Sequence, residues 1–140
     1  MSEHIPDSVR RIVATRANNI CEYCRCLESF STQSFTVDHI KPRKVGGETT
    51  LENLAWSCFG CNAYKHTKTE GIDPETNQKI SLFNPRQQPW DDHFKWSDDN
   101  TELVGKTPDA RATILILRLN RPGIVNLRRL LITVNLHPPI

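Results

Sequence analysis

"VDHIKPRKVGGETTLENLAWSCFGCNAYKH", Val37 to His66, decides the fold of this chain. It opens on an Asp-His pair, Asp38-His39, and closes on Cys58 and Cys61 followed by Asn62, Lys65 and His66. Between them lie a basic stretch, Lys41-Pro42-Arg43-Lys44, and a Gly46-Gly47 break. An acid, an imidazole, two thiols and an amide in one short segment pose a definite question: whether these groups share one metal or divide between two.

The thiols answer half of it. The chain has five cysteines, Cys21, Cys24, Cys26, Cys58 and Cys61. Two C-x-x-C pairs, Cys21/Cys24 and Cys58/Cys61, supply the four thiolates that a structural zinc takes in a tetrahedron. An odd cysteine count with paired spacing reads as metal binding rather than as disulfides. Cys26 is left over. A ligand set with Cys26 in place of Cys24 is the competing arrangement, and the C-x-x-C symmetry favours Cys24. The gap between the pairs is longer than in a zinc ribbon, so a subdomain sits between them, pinned at both ends. Four thiolates leave the metal no open position, which excludes chemistry there. A zinc deaminase needs a His-x-Glu element and a proline before its paired cysteines. Here Ile40 and Lys41 follow His39, Ile20 precedes Cys21, and Ser57 precedes Cys58.

With the thiols assigned, Asp38, His39, Asn53, Asn62, Lys65 and His66 remain. Asp and Asn offer hard oxygens suited to Mg²⁺ or Mn²⁺. Asn62 directly follows Cys61, so the zinc knuckle fixes its position. On a helix starting there, Asn62, Lys65 and His66 share one face. The zinc would then act as a brace that preorganises a second metal site.

C-x-x-C, Asp-His, Gly-Gly, Asn-Leu and C-x-x-C-Asn, in that order, resemble the HNH endonucleases of the ββα-metal (His-Me finger) fold. The resemblance runs from Cys21 to Lys68. It implies a hairpin, a loop and a helix around one divalent cation. It also implies that His39 is the general base, that Asp38 and Asn62 ligate the cation, and that Asn53 holds the loop by hydrogen bonds. The family's products are a 5′-phosphate and a 3′-hydroxyl. Both readings converge on DNA phosphodiester hydrolysis. A neutral imidazole takes a proton from water, and one cation stabilises the phosphate and the departing 3′ oxygen. Lys41, Arg43, Lys44 and Lys65 are expected to contact phosphates. Three roles stay open for His66: extra ligand, phosphate donor or surface side chain.

The remaining sequence frames this core. The length of 140 residues suits one domain. No apolar run approaches the ~20 residues that span a bilayer and none resembles a signal peptide, so a cytoplasmic location with no membrane partner is expected. Residues 69–109 hold 4 basic and 9 acidic side chains, and residues 110–140 hold 5 and 0, which makes the tail a candidate phosphate contact. "IPDSVRRIVATRANN" predicts a helix capped by Asp7 or Ser8, and "SFSTQSFTVDHI" a strand or hairpin. "KPRKVGGETTLEN" reads as a loop, "GIDPETNQK" as a turn, and "ISLFNP" as a short strand. "HFKW" and "TELVGKT" are expected to pair. Thr107 caps a helix beginning at Pro108, and Pro122 opens another. The fold class is α+β. A single domain, 1–140, divides into an N-terminal helix (1–20), an HNH core with zinc knuckles (21–68) and a C-terminal strand and helix extension (69–140). Trp90, His93 and Trp96 are read as core packing of that extension rather than as a base-stacking cleft. The rival readings are an inactive zinc-braced nucleic-acid binding module and a structural zinc domain that docks to another protein.

Overall fold

The computed structural model describes residues 4–139; residues 1–3 of the N-terminal segment and residue 140 lie outside the described residues. The chain begins with α1 (Asp7–Arg16), whose N-cap is Pro6. Neither Asp7 nor Ser8 caps it, because Pro6 has extended ψ and hands the chain directly into the helix, leaving Asp7 to complement the helix dipole in the first turn. Ala17 to Asn19 then turn into the first thiol pair, with Asn18 and Asn19 at positive φ.

Two strands form the ββ element. β1 (Thr36–His39) pairs antiparallel with β2 (Leu54–Ser57), bringing Asp38 opposite Ala55 and His39 opposite Leu54. The strand or hairpin expected within residues 29–40 is therefore one strand, β1, of a hairpin that closes across the loop. Residues 31–34 are exposed and polar, whereas Leu54–Ser57 is buried throughout. A strand buried on both faces shows no alternation, so periodicity alone does not mark it. Two acids lock the first knuckle to β2. Glu22 accepts the Trp56 N–H at 2.7 Å and pairs with Arg86, while Glu28 accepts the Trp56 indole at 3.0 Å.

α2 (Phe59–Lys65) follows, starting between the last two cysteines, with the Cys58 sulfur accepting the Cys61 N–H as its cap. The extension is built of two further hairpins and three helices. β3 (Glu70–Ile72) pairs with β4 (Lys79–Ser81), and β5 (Phe94–Trp96) with β6 (Leu103–Gly105). A short helix α3 (Trp90–His93) precedes β5. Thr107 caps α4 (Pro108–Leu117) by accepting the Ala110 N–H, and α5 (Pro122–Ile132) closes the chain. One core runs through both parts. Val13, Tyr23, Leu54, Phe83, Phe94 and Leu117 are buried together. α4 lies against α2, β3, β4 and β6, so the extension packs directly on the thiol-bearing helix. No helix among the described residues is long and apolar enough to cross a membrane.

Candidate metal centre and active-site cleft

The Sγ atoms of Cys21, Cys24, Cys58 and Cys61 all lie within 4.8 Å of one another, and all four residues are buried. A Zn–S bond near 2.3 Å in a tetrahedron requires sulfurs roughly 3.8 Å apart, and Cys24 and Cys58 are separated by 3.7 Å. The donor set therefore fits a closed zinc site. Cys26 lies beside it, its sulfur 3.2 Å from that of Cys24, and is partly exposed. Arg121 comes from the far end of the chain to the outer side of the cluster. Its guanidinium lies 3.5 Å from the Cys58 sulfur and 3.6 Å from that of Cys61. Burial works to lower the Arg121 pKa, but the thiolates of Cys61, Cys24 and Cys58 outweigh it and the net shift is upward. Gly60 makes room for this contact, since a Cβ there would meet the Arg121 guanidinium at 2.5 Å.

A second set of groups surrounds a cleft of about 440 Å³ between the end of β1, the following loop and α2. Asp38, His39, Asn62 and His66 line it, joined by Arg43 and Lys44 from the loop and Arg10 from α1. The His39 ring is oriented by Thr49, Nε2 to Oγ1 at 2.9 Å. Among the described residues the Asn62 side-chain amide makes no hydrogen bond, and His66 is exposed at the end of the same helix. Lys41 lines a different cavity, on the side of the loop facing Phe83 and Gln88.

Asn53 ties the loop. Its Oδ1 accepts the Lys41 N–H at 2.8 Å, and its Nδ2 donates to the carbonyls of Lys41 (3.0 Å) and Glu48 (2.8 Å). The Asn53 carbonyl also accepts the Ile40 N–H at 2.9 Å. Gly46 and Gly47 complete the turn. Gly46 has φ 95°, and a Cβ on Gly47 would stand 1.7 Å from the Lys41 carbonyl oxygen.

Lys65 departs from the phosphate contact read from the sequence. It is 2 % exposed, and its Nζ is held by Asp38 at 3.1 Å and by the carbonyls of His39 and Ile40, each at 3.0 Å. An ammonium has three protons to give, and all are used inside the protein. Asp38, 3 % exposed, also accepts from the Tyr23 hydroxyl at 2.6 Å. Burial raises the Asp38 pKa, while Lys65 and Tyr23 pull against it. A carboxylate can accept about four hydrogen bonds. The contacts from Tyr23 and Lys65 leave room for one further donor or a cation, so the residues fit a single-bond ligand rather than a chelating one.

Arg10, Tyr23 and Thr49 were not found from sequence. Tyr23 sits inside the first C-x-x-C, where any residue is tolerated; Arg10 is one of several arginines on an amphipathic helix. Nothing in their local pattern marks them.

Residues 21–68, about a third of the chain, match the family model for HNH endonuclease. The Septu protein PtuB of Bacillus thuringiensis is 28 % identical over 107 residues, covering 75 % of this chain. The chain spans 38 % of that relative's length. No solved structure matches. The ββα element and the cysteine cluster both fall within residues 21–68, the segment that is similar to the HNH endonuclease family.

Proposed function

We propose that the chain is a metal-dependent HNH endonuclease that hydrolyses DNA phosphodiester bonds, leaving 5′-phosphate and 3′-hydroxyl ends. The observation that carries this reading is the convergence of Asp38, His39 and Asn62 on one cleft that also presents Arg10, Arg43 and Lys44. A buried acid and an unbonded amide oxygen are the donors a hard cation selects. Asp38 and Asn62 would hold Mg²⁺ or Mn²⁺, which supplies charge stabilisation at the scissile phosphate and the leaving oxygen.

His39, aligned by Thr49, takes the proton of the attacking water. Asn53 keeps the loop after His39 in register with β2, so that Asp38 and His39 present their side chains together. Arg10, Arg43 and Lys44 receive the flanking phosphates of the strand.

The test is cleavage of plasmid, duplex and single-stranded DNA by zinc-loaded protein with Mg²⁺, with Mn²⁺, or with neither, beside His39→Ala. Removing a general base typically costs 10²–10⁴-fold in rate. Cleavage by wild type that the variant matches would remove His39 from the chemistry. Tight DNA binding with no cleavage under any metal would favour the inactive binding module.

A further inference from the structure

A cavity larger than the cleft lies away from it. It measures about 610 Å³ and is formed where the first zinc knuckle meets the hairpin β5–β6, and it shares no lining residue with the Asp38–His39 cleft. Three cations line it, Arg25, Lys95 and Lys106, against one acid, Asp91.

Arg25 is the telling residue. It sits in the knuckle between Cys24 and Cys26 with a left-handed backbone, φ 68°. Its guanidinium is partly buried and lies over the Trp90 ring at 4.8 Å. Burial acts most strongly against its charge, and Cys21, Asp91 and Cys24 oppose that only in part through space. None of their side chains, and no other described residue, accepts a hydrogen bond from the guanidinium. A guanidinium carries five donors in a planar fork matched to phosphate oxygens, so one held in a cavity without an acceptor is set for an anion. Lys95 has no ion pair among the described residues, and the Lys106 ammonium reaches only the Asp91 carbonyl.

The aromatic side chains narrow the ligand further. Trp90 is covered by Arg25 and is stacked on Phe94 at 5.2 Å and 24°. Trp96 carries Arg128 at 5.0 Å and meets His137 in a T-shaped contact at 4.4 Å. A nucleobase binds by stacking on an open ring face, and here the faces are occupied. The cavity offers charge without a stacking platform, which suits a phosphodiester backbone over a free nucleotide.

We propose that Arg25, Lys95 and Lys106 form a second phosphate site that grips the backbone of a nucleic-acid strand at a distance from the cleavage cleft. The proposal rests on the reading of this protein as a DNA-acting enzyme. Because the contacts are to phosphate, they position the strand without reading its sequence.

The test uses the full zinc-loaded chain and fluorescein-labelled duplexes of two unrelated sequences, with anisotropy read across a NaCl series without added Mg²⁺. The variants are Lys95→Gln/Lys106→Gln, remote in sequence from the thiols, and Arg25→Gln, accepted only with unchanged zinc content. Each lost phosphate contact lowers the slope of log K against log salt by about 0.9. The double variant should therefore lose about 1.8 in slope, equally on both sequences, and Arg25→Gln about 0.9. An unchanged slope in both variants overturns the site. Calorimetry with adenosine monophosphate and with inorganic phosphate provides the other arm. If the monophosphate binds wild type, fails to bind the double variant, and the duplex slope is unaltered, the cavity takes a free nucleotide and the strand assignment fails. A reduced slope in a protein that cleaves nothing would sustain this site and sink the nuclease reading. Normal cleavage with an unaltered slope would do the reverse.

Discussion

Lys65→Met is the substitution that best separates the two roles a lysine could hold in this domain. The structure buries Lys65 and Asp38 together, 2 % and 3 % exposed, with the ammonium on the carboxylate and on two backbone carbonyls. Methionine matches the unbranched apolar stem to within one atom and removes the charge. Asp38 then keeps Tyr23 as its partner but loses its counter-charge, and the carbonyls of His39 and Ile40 lose a donor. Breaking one side of a buried pair costs about 3–5 kcal/mol. Domain stabilities are about 5–15 kcal/mol, so the loss is a large fraction of the total.

Urea unfolding of zinc-saturated protein, followed by tryptophan fluorescence, measures it, with Asp38→Asn and the double variant completing a cycle. Neutralising Asp38 removes the uncompensated charge, so Lys65→Met should cost markedly less in the Asp38→Asn background. A lysine that served phosphate instead would behave in the opposite way. Lys65→Met would then leave stability within about 1 kcal/mol, the level of an exposed pair, and would weaken DNA binding. That outcome would refute the brace.

Four other outcomes follow from the same geometry. Metal analysis should find about one zinc per chain, by the tetrahedral thiolate preference, and Cys58→Ser should unfold residues 21–68 by circular dichroism, since metal binding and folding are coupled. Gly60→Ala should push the Arg121 guanidinium off Cys58 and Cys61 with little loss of fold; a chelator competition should show faster zinc release, and Arg121→Leu should reproduce it. Asn62→Ala should lose cleavage that higher Mg²⁺ or Mn²⁺ partly restores by mass action, whereas Asn53→Ala, which frees the loop, should lose cleavage that added metal leaves unrepaired; equal metal dependence of Asn62→Ala and wild type would remove Asn62 as a ligand. Arg111 holds the Asp73 carboxylate well below its ordinary pKa, aided by Glu75 N–H and Thr76. That stability is therefore fully present above pH ~4 and drains as pH falls toward the lower folded value; Asp73→Asn should flatten the acid limb of a pH–stability curve.

The parts legible in the sequence are those that local chemistry dictates. The two C-x-x-C pairs announced the cysteine cluster, and Thr107 before Pro108 announced the α4 cap, which the Ala110 N–H completes. "HFKW" and "TELVGKT" do pair, as β5 and β6. What local pattern could not give was direction. Asn62, Lys65 and His66 were placed on one helix face, yet at 100° per residue Lys65 stands about 60° to one side of Asn62 and His66 about 40° to the other. The structure uses that difference. Asn62 and His66 turn to the cleft, and Lys65 turns to the carbonyl edge of β1. β2 was missed for a related reason. Its four residues are buried on both faces, and its identity as a strand depends on a partner fifteen or more positions earlier.

The basic tail shows how tertiary context redirects charge. Residues 110–140 carry five arginines and no acid, the pattern of a phosphate-binding segment. Three of the five are consumed inside the protein. Arg111 forms a two-pronged pair with Asp73. Arg121 lies on the thiolates of Cys58 and Cys61. Arg128, 2 % exposed, donates to the carbonyls of Cys24, Leu119 and Thr101. Two of these three act on the zinc knuckles, one from each end of the ligand set. A tetrathiolate zinc site carries net negative charge, and burying it requires nearby donors and cations. At Cys58 and Cys61 residues 21–68 supply a donor, the Cys61 N–H to the Cys58 sulfur, and the extension supplies the cation. The consequence is that residues 69–140 are part of the metal site's support, and truncation after Lys68 should leave the cysteine cluster short of the charge that Arg121 brings. Outside the tail, cations line both cavities: Arg10, Arg43 and Lys44 at the cleft, and Arg25, Lys95 and Lys106 at the second cavity.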